Sequence, residues 1–169
     1  MSELYQEMID GEWVLRLPPR ASHESICATL HAWVRRSILP ATPMQLLESR
    51  SEIALAAGQV FRPDLAVLPY GGGKPFLVAE VINQEDHHPD TVLKKDVYEA
   101  LRIPRLWMVD PRYENVEVYH ASQHGLVLKQ TLMIRETLEE PLVPGFSLAL
   151  KLLFGGTDSG APWGAQKDF

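Results

Sequence analysis

The chain has 169 residues, 46% hydrophobic and 22% charged, which sets aside a mostly disordered or fibrous protein and leaves room for one globular domain. Lys and Arg number 16 against 22 Asp and Glu, a net charge of −6, which argues against tight, purely electrostatic binding of nucleic acid. It does not exclude an enzyme that meets DNA or RNA through bound divalent cations. The one cysteine, Cys27, excludes an intramolecular disulfide and a Cys-rich zinc site, and fits a reducing cytoplasm.

No run reaches the roughly 18 apolar residues of a membrane span, and the acidic stretch from Met1 to Asp10 does not read as a secretory signal. Glu12 to Leu17 reads as a short strand stopped by Pro18-Pro19. Ser22 is placed to cap a helix, and Ile26, Leu30, Trp33 and Val34 give that helix one apolar face to about Ser37, before Pro40 and Pro43. Three strands follow, Glu52 to Ala57, Phe61 to Leu68 and Phe76 to Ile82, with Gly58 and Gly71-Gly72-Gly73 at the turns. Phe76-Leu77-Val78-Ala79 is apolar without alternation, the pattern of a strand covered on both faces.

Asp90 opens a helix to about Leu101, buried along Leu93, Val97, Ala100 and Leu101. Asp90, Lys94 and Tyr98 form a neighbouring stripe at i, i+4, i+8. Leu106-Trp107-Met108-Val109 is a further buried strand with Trp107 in the core, and Asn115 to Lys129 an edge-like hairpin. Phe146 to Phe154 reads as a terminal helix, so that residues 1–154 form a single domain and the Gly-rich segment 155–169 a tail.

Two acids stand where burial is costly. Asp64 follows Pro63 at the head of the second strand, and Glu80 lies in Val78-Ala79-Glu80-Val81-Ile82. A carboxylate in so apolar a run is paired or binds metal. If the two strands are neighbours, the acids converge, and two oxygen donors with open positions suit Mg²⁺ or Mn²⁺. Such an ion activates water and neutralises charge on a phosphate. The plain alternative is an aspartate at a turn and a glutamate salt-bridged to lysine. Lys94 shares a helix stripe with Asp90 and Tyr98, from which it either reaches back to the acids or forms a solvated i, i+4 pair with Asp90.

Taken in order, these pieces resemble the Uma2 family, a branch of the PD-(D/E)XK nuclease superfamily. The opening Tyr5 to Val14 (YQEMIDGEWV) is similar to the family's E-x-x-D-G-E segment. It is followed by His23, Arg62-Pro63-Asp64, Glu80-Val81-Ile82, Asp90-x-x-x-Lys94-x-x-x-Tyr98 and Ile103 to Pro111. The resemblance implies an α/β, restriction-endonuclease-like core: helix, three strands, helix, strand, with a mixed central sheet and an added β-hairpin. It implies a metal-dependent phosphodiesterase with Asp64 and Glu80 as metal ligands and Lys94 as the lysine displaced onto the helix, because Ile82 stands where the superfamily's commonest pattern has lysine. His23 and Glu24 at the head of the first helix, with Asp90 and Tyr98, are supporting residues by the same resemblance. Asn83, Arg102, Arg105 and Leu106 depart from the family's usual residues.

The reading is therefore hydrolysis of a phosphodiester in nucleic acid, DNA before RNA, with Mg²⁺ or Mn²⁺, in the cytoplasm. Its rivals are a non-catalytic binding or regulatory module that keeps the fold, and a hydrolase of a phosphorylated small molecule. Exposed strand edges point to a homodimer. Glu85-Asp86-His87-His88 has the composition of a metal cluster. Beside Pro89, and with adjacent histidines pointing apart, it reads rather as a loop near the site that touches substrate. Gly71-Gly72-Gly73-Lys74 lacks P-loop spacing. Cys27 and His31 at i, i+4 lack the companions of a protease dyad, so Cys27 reads as a small buried group.

Overall fold

The computed structural model describes residues 4–38, 42–83 and 89–155, with residues 89 and 90 described in backbone only. The chain opens with a hairpin, β1 (Tyr5–Ile9) and β2 (Glu12–Arg16). Both turn residues have positive φ, Asp10 at 52° and Gly11 at 83°, the conformation that lets a two-residue turn follow the strand twist. β1 is not predicted from the sequence. Helix α1 (Ala21–Ser37) follows. Ser22 lies inside it rather than capping it: Arg20 holds the N-cap position without a side-chain hydrogen bond.

Five strands rather than three precede the next helix: β3 (Met44–Leu46), β4 (Ile53–Ala56), β5 (Gln59–Phe61), β6 (Leu65–Pro69) and β7 (Leu77–Val81). The strand expected over Phe61 to Leu68 is split. Pro63 has no N–H for a ladder, and the chain uses Arg62-Pro63-Asp64 to leave one sheet and enter another. A five-residue π-helical turn, Pro89–Leu93, leads into α2 (Lys94–Ala100). Then come β8 (Arg105–Asp110) and the long hairpin β9 (Asn115–Ser122) and β10 (Gly125–Met133). The terminal helix is shorter than expected. Ser147–Ala149 is strand β12, paired with β11 (Thr137–Glu139), and only α3 (Leu150–Phe154) is helical. The tail beyond Gly155 and the Glu85 to His88 cluster lie outside the described residues.

The central sheet has the order β10-β9-β8-β7-β6-β3. It is mixed: β7 and β8 run parallel and every other pair is antiparallel. A parallel pair needs a crossover, and the π-turn with α2 supplies it. A second sheet, β2-β1-β5-β4, packs beside it. Alternation along β7 divides the interior. Leu77, Ala79 and Val81 face the core formed with Ile26, Cys27, Leu30 and Val34 of α1, together with Trp107 and Phe146. Val78 and Ile82 face a second core with Ile9, Phe61, Val97 and Tyr98. The predicted core residue Trp107 is fully buried and stacks on Phe146 at 5.2 Å. Both faces of β7 and β8 are thus covered, as their continuous apolar runs require.

Candidate active site

β6 and β7 pair with Leu65 opposite Ala79, so Asp64 and Glu80 stand at the same end of two adjacent strands. One oxygen of Asp64 accepts the Val81 N–H at 2.8 Å, across the gap between the strands. Its other oxygen lies 2.9 Å from His23 Nε2 and 3.3 Å from the Arg50 guanidinium. The Asp64 backbone is fixed as well, its carbonyl meeting His31 Nε2 at 2.7 Å and accepting from the Ser49 hydroxyl at 3.1 Å. His23 and His31 are two turns apart on α1, on the stripe that faces the strand end.

Burial alone raises the pKa of the Asp64 carboxyl, but the His23 hydrogen bond and charge, the Val81 N–H and the Lys94 ammonium outweigh it and bring the group to about 2. A carboxylate depressed in the folded state stabilises it above the unfolded pKa, and that contribution is lost as pH falls through the folded one. The window is therefore 3.8 down to about 2. Asp64→Asn should lower stability near neutrality by about 2 kcal/mol, and the gap to the wild type should close toward pH 2. Urea unfolding of both proteins across that range checks this, and a gap independent of pH would reject it.

Glu80 is approached from the other side. It shares a face of β7 with Val78 and Ile82, toward α2. The Lys94 ammonium lies 2.7 Å from Glu80 Oε1, and the Tyr98 hydroxyl donates to the same oxygen at 2.5 Å. The helix spacing i, i+4 thus brings Lys94 and Tyr98 onto one carboxylate. Lys94 is the first residue of α2, directly after the wider π-turn. Lys94 also donates to Glu7 Oε1 at 2.9 Å, and Arg16 pairs with Glu7 Oε2 at 2.5 Å. Glu7, Lys94, Glu80 and Arg16 are 0%, 1%, 2% and 2% exposed. Two anions and two cations balance within this buried group, which is why it is tolerated.

The predicted supporting residues divide. His23 touches Asp64 and Tyr98 touches Glu80. Glu24 reaches the site through Arg50, whose guanidinium it holds at 2.6 and 2.8 Å. The side chain of Asp90 lies outside the described residues. Sequence reasoning missed Glu7, Arg16 and Arg50 as site residues. For Glu7 a signal exists: it alternates in phase with Ile9 on the inward side of β1. Arg50 has none in the sequence, and its backbone sits at φ 57° in the left-handed region, which seldom suits a long side chain without a local reason. Among the described residues, the group of three His, Cys, Asp or Glu donors lying within 4.8 Å of one another is His23, Cys27 and Asp64. Glu80 does not join that group.

A cavity of about 230 Å³ opens beside His23, lined by Arg20, Ser22, Ile82, Asn83 and Arg112 among others. On the other side, Arg50 lines a broader surface groove with Tyr5, Trp13 and Arg62. No helix among the described residues is long and apolar enough to cross a membrane.

The model of the Uma2 family, described as "Putative restriction endonuclease", matches residues 2–151. Among solved structures, the chain is similar to one from Anabaena variabilis, described as "a putative nuclease belonging to DUF820". The TM-score is 0.74 at 14% identity, over 89% of each chain. At that identity the likeness establishes the fold. No curated protein matches the sequence.

Proposed function

We propose that this chain, which belongs to the Uma2 family, hydrolyses phosphodiester bonds of nucleic acid, DNA before RNA, with a divalent cation held by Asp64 and Glu80. The observation that carries the reading is that Asp64, held by His23 and the Val81 N–H, and the Glu80–Lys94 pair at 2.7 Å stand at one end of β6 and β7. The donor set fits Mg²⁺ or Mn²⁺: both acids offer oxygen, and the Arg50 contact to Asp64, at 3.3 Å, is long enough to yield to a metal. When bound, such an ion supplies charge neutralisation at the phosphate and an activated water.

The protein's own groups do the rest. Lys94 holds Glu80 in place and presents positive charge to the phosphate. Tyr98 fixes the orientation of Glu80 by its hydroxyl. His23 and the Val81 N–H keep Asp64 ionised. Arg50, steadied by Glu24, faces the groove as a contact for the backbone phosphates. The family's description, "Putative restriction endonuclease", favours DNA as the substrate, and the net charge of −6 makes binding depend on the cation. We place the protein in the cytoplasm as a homodimer joined at the β10 edge, where Leu128 and Met133 are exposed. Sedimentation as a single chain would remove that last point.

The experiment is cleavage of duplex DNA and of RNA at matched concentrations, with Mg²⁺, with Mn²⁺ and with chelator. Cleavage of DNA that chelator abolishes is expected. A second reading, a non-catalytic binding module, is favoured by one observation: Lys94 and Glu80 are almost completely buried. Binding of DNA without cleavage under every cation would select it.

A further inference from the structure

We infer that His23, Cys27 and Asp64 form a second, softer metal site, for a zinc-like transition-metal ion, which takes Asp64 away from the Mg²⁺ pair. Its existence is independent of the proposed hydrolysis; its inhibitory consequence rests on that reading. His23 and Cys27 are i and i+4 on α1, so both project to one face of the helix, and Asp64 meets them there from the head of β6. The three donors, a ring nitrogen, a sulfur and a carboxylate oxygen, lie within 4.8 Å of one another and all three residues are buried.

Tetrahedral zinc with nitrogen, oxygen and sulfur ligands needs donors about 3.5 Å apart, so a small inward shift closes the site. Three protein ligands leave a fourth position for water, as in reactive zinc centres. The donor set is selective. Thiolate and imidazole prefer zinc, cobalt or iron, while Mg²⁺ prefers oxygen. Glu80 stands outside this triad, so the two sites share Asp64 alone.

The surroundings fit the site. The His31–Asp64 carbonyl contact at 2.7 Å holds the aspartate against the helix, a positioning contact of the kind that orients metal ligands. Among the described residues His23 Nδ1 is buried without a hydrogen-bond partner, and the ring's other nitrogen meets Asp64. Cys27 lines a surface pocket with Glu24, His31, Arg35 and Glu48, so the sulfur lies at the foot of an opening to the surface. Arg50, the cation nearest Asp64, is held by both oxygens of Glu24 and keeps that partner when Asp64 turns to a metal. Binding exchanges the Cys27 thiol proton for the metal; the Cys27 S–H bond breaks, the sulfur–metal bond forms, and the proton leaves to solvent.

Titration of the full chain with Co²⁺ tests the site. One equivalent should bind with a near-ultraviolet thiolate-to-cobalt band and the intense visible bands of tetrahedral cobalt. Cys27→Ser should abolish the thiolate band and weaken Co²⁺ at least about tenfold, while Mn²⁺ affinity stays unchanged. His23→Gln should weaken Co²⁺ likewise. Glu80→Gln should keep the thiolate band, which separates this site from the Asp64–Glu80 pair. Zn²⁺ should inhibit Mg²⁺-supported cleavage in the wild type and not in Cys27→Ser. A wild type without the thiolate band, or a band lost in Glu80→Gln, overturns the proposal whatever the nuclease assay gives. If Cys27→Ser fails to melt like the wild type, Cys27→Ala replaces it.

Discussion

Lys94→Met should destabilise the protein by about 3–5 kcal/mol, because removing one partner of a buried ion pair leaves uncompensated charge. Lys94 bridges Glu7 and Glu80 at 2.9 and 2.7 Å, and both carboxylates are almost wholly shielded from water. After the substitution Glu7 keeps Arg16 and the Arg62 N–H, but the Glu80 carboxylate loses the ammonium that balances it. The double variant Lys94→Met with Glu80→Gln restores the charge balance, since Glu7 and Arg16 still pair. It should recover most of the loss. Denaturant unfolding of the four members of this cycle gives the coupling directly. A loss of under about 1 kcal/mol for Lys94→Met, the scale of an exposed pair, would contradict the buried quartet. The expectation is about folding alone, so it stands whether or not the site hydrolyses anything.

The second large effect is on the proposed metal-dependent hydrolysis. Asp64→Asn and Glu80→Gln keep the shape of each side chain and remove its charge. Loss of one charged metal ligand should forfeit several kcal/mol of transition-state stabilisation, a fall of at least about a hundred- to thousandfold in kcat/KM. The two substitutions should not multiply, because both break one unit. Asp64→Asn needs assay well below its melting temperature, given the stability that its ionised carboxylate contributes. Glu80→Gln leaves Lys94 and Arg16 against Glu7 alone, so it too needs assay well below its melting temperature. Either variant retaining more than about a tenth of the wild-type rate, which is under 1.4 kcal/mol of barrier, would remove that residue from the metal pair.

How far these residues were legible in the sequence follows from how local their signals are. Glu80 stands out because an ionisable group interrupts the run from Phe76 to Ile82, and Lys94 with Tyr98 because helical spacing puts them on one stripe. Asp64 is marked by Pro63, the residue that also divides the expected strand into β5 and β6. The helix α1 is legible from the helical period of its apolar residues, and the strands β7 and β8 from their unbroken apolar runs. The edge strands β3 and β11 have three residues each, too few for any period to show. Glu7, Arg16 and Arg50 depend on pairing between distant segments: Glu7 meets Lys94 across 87 residues of chain. Cys27 reads as a core residue in sequence because its neighbours are apolar, and only the chain crossing at Asp64 places a carboxylate beside it. Burial next to that anion holds the Cys27 thiol protonated, with its pKa raised well above the usual value.

The most direct measurement is Mn²⁺ binding by calorimetry on the wild type, Asp64→Asn and Glu80→Gln, each checked for a folded melt. Saturable binding by the wild type that both substitutions reduce by at least about tenfold, or 1.4 kcal/mol, is the expected result. Mn²⁺ bound equally by all three proteins would contradict the account, and would return the two acids to a structural role in the ion pairs that surround them.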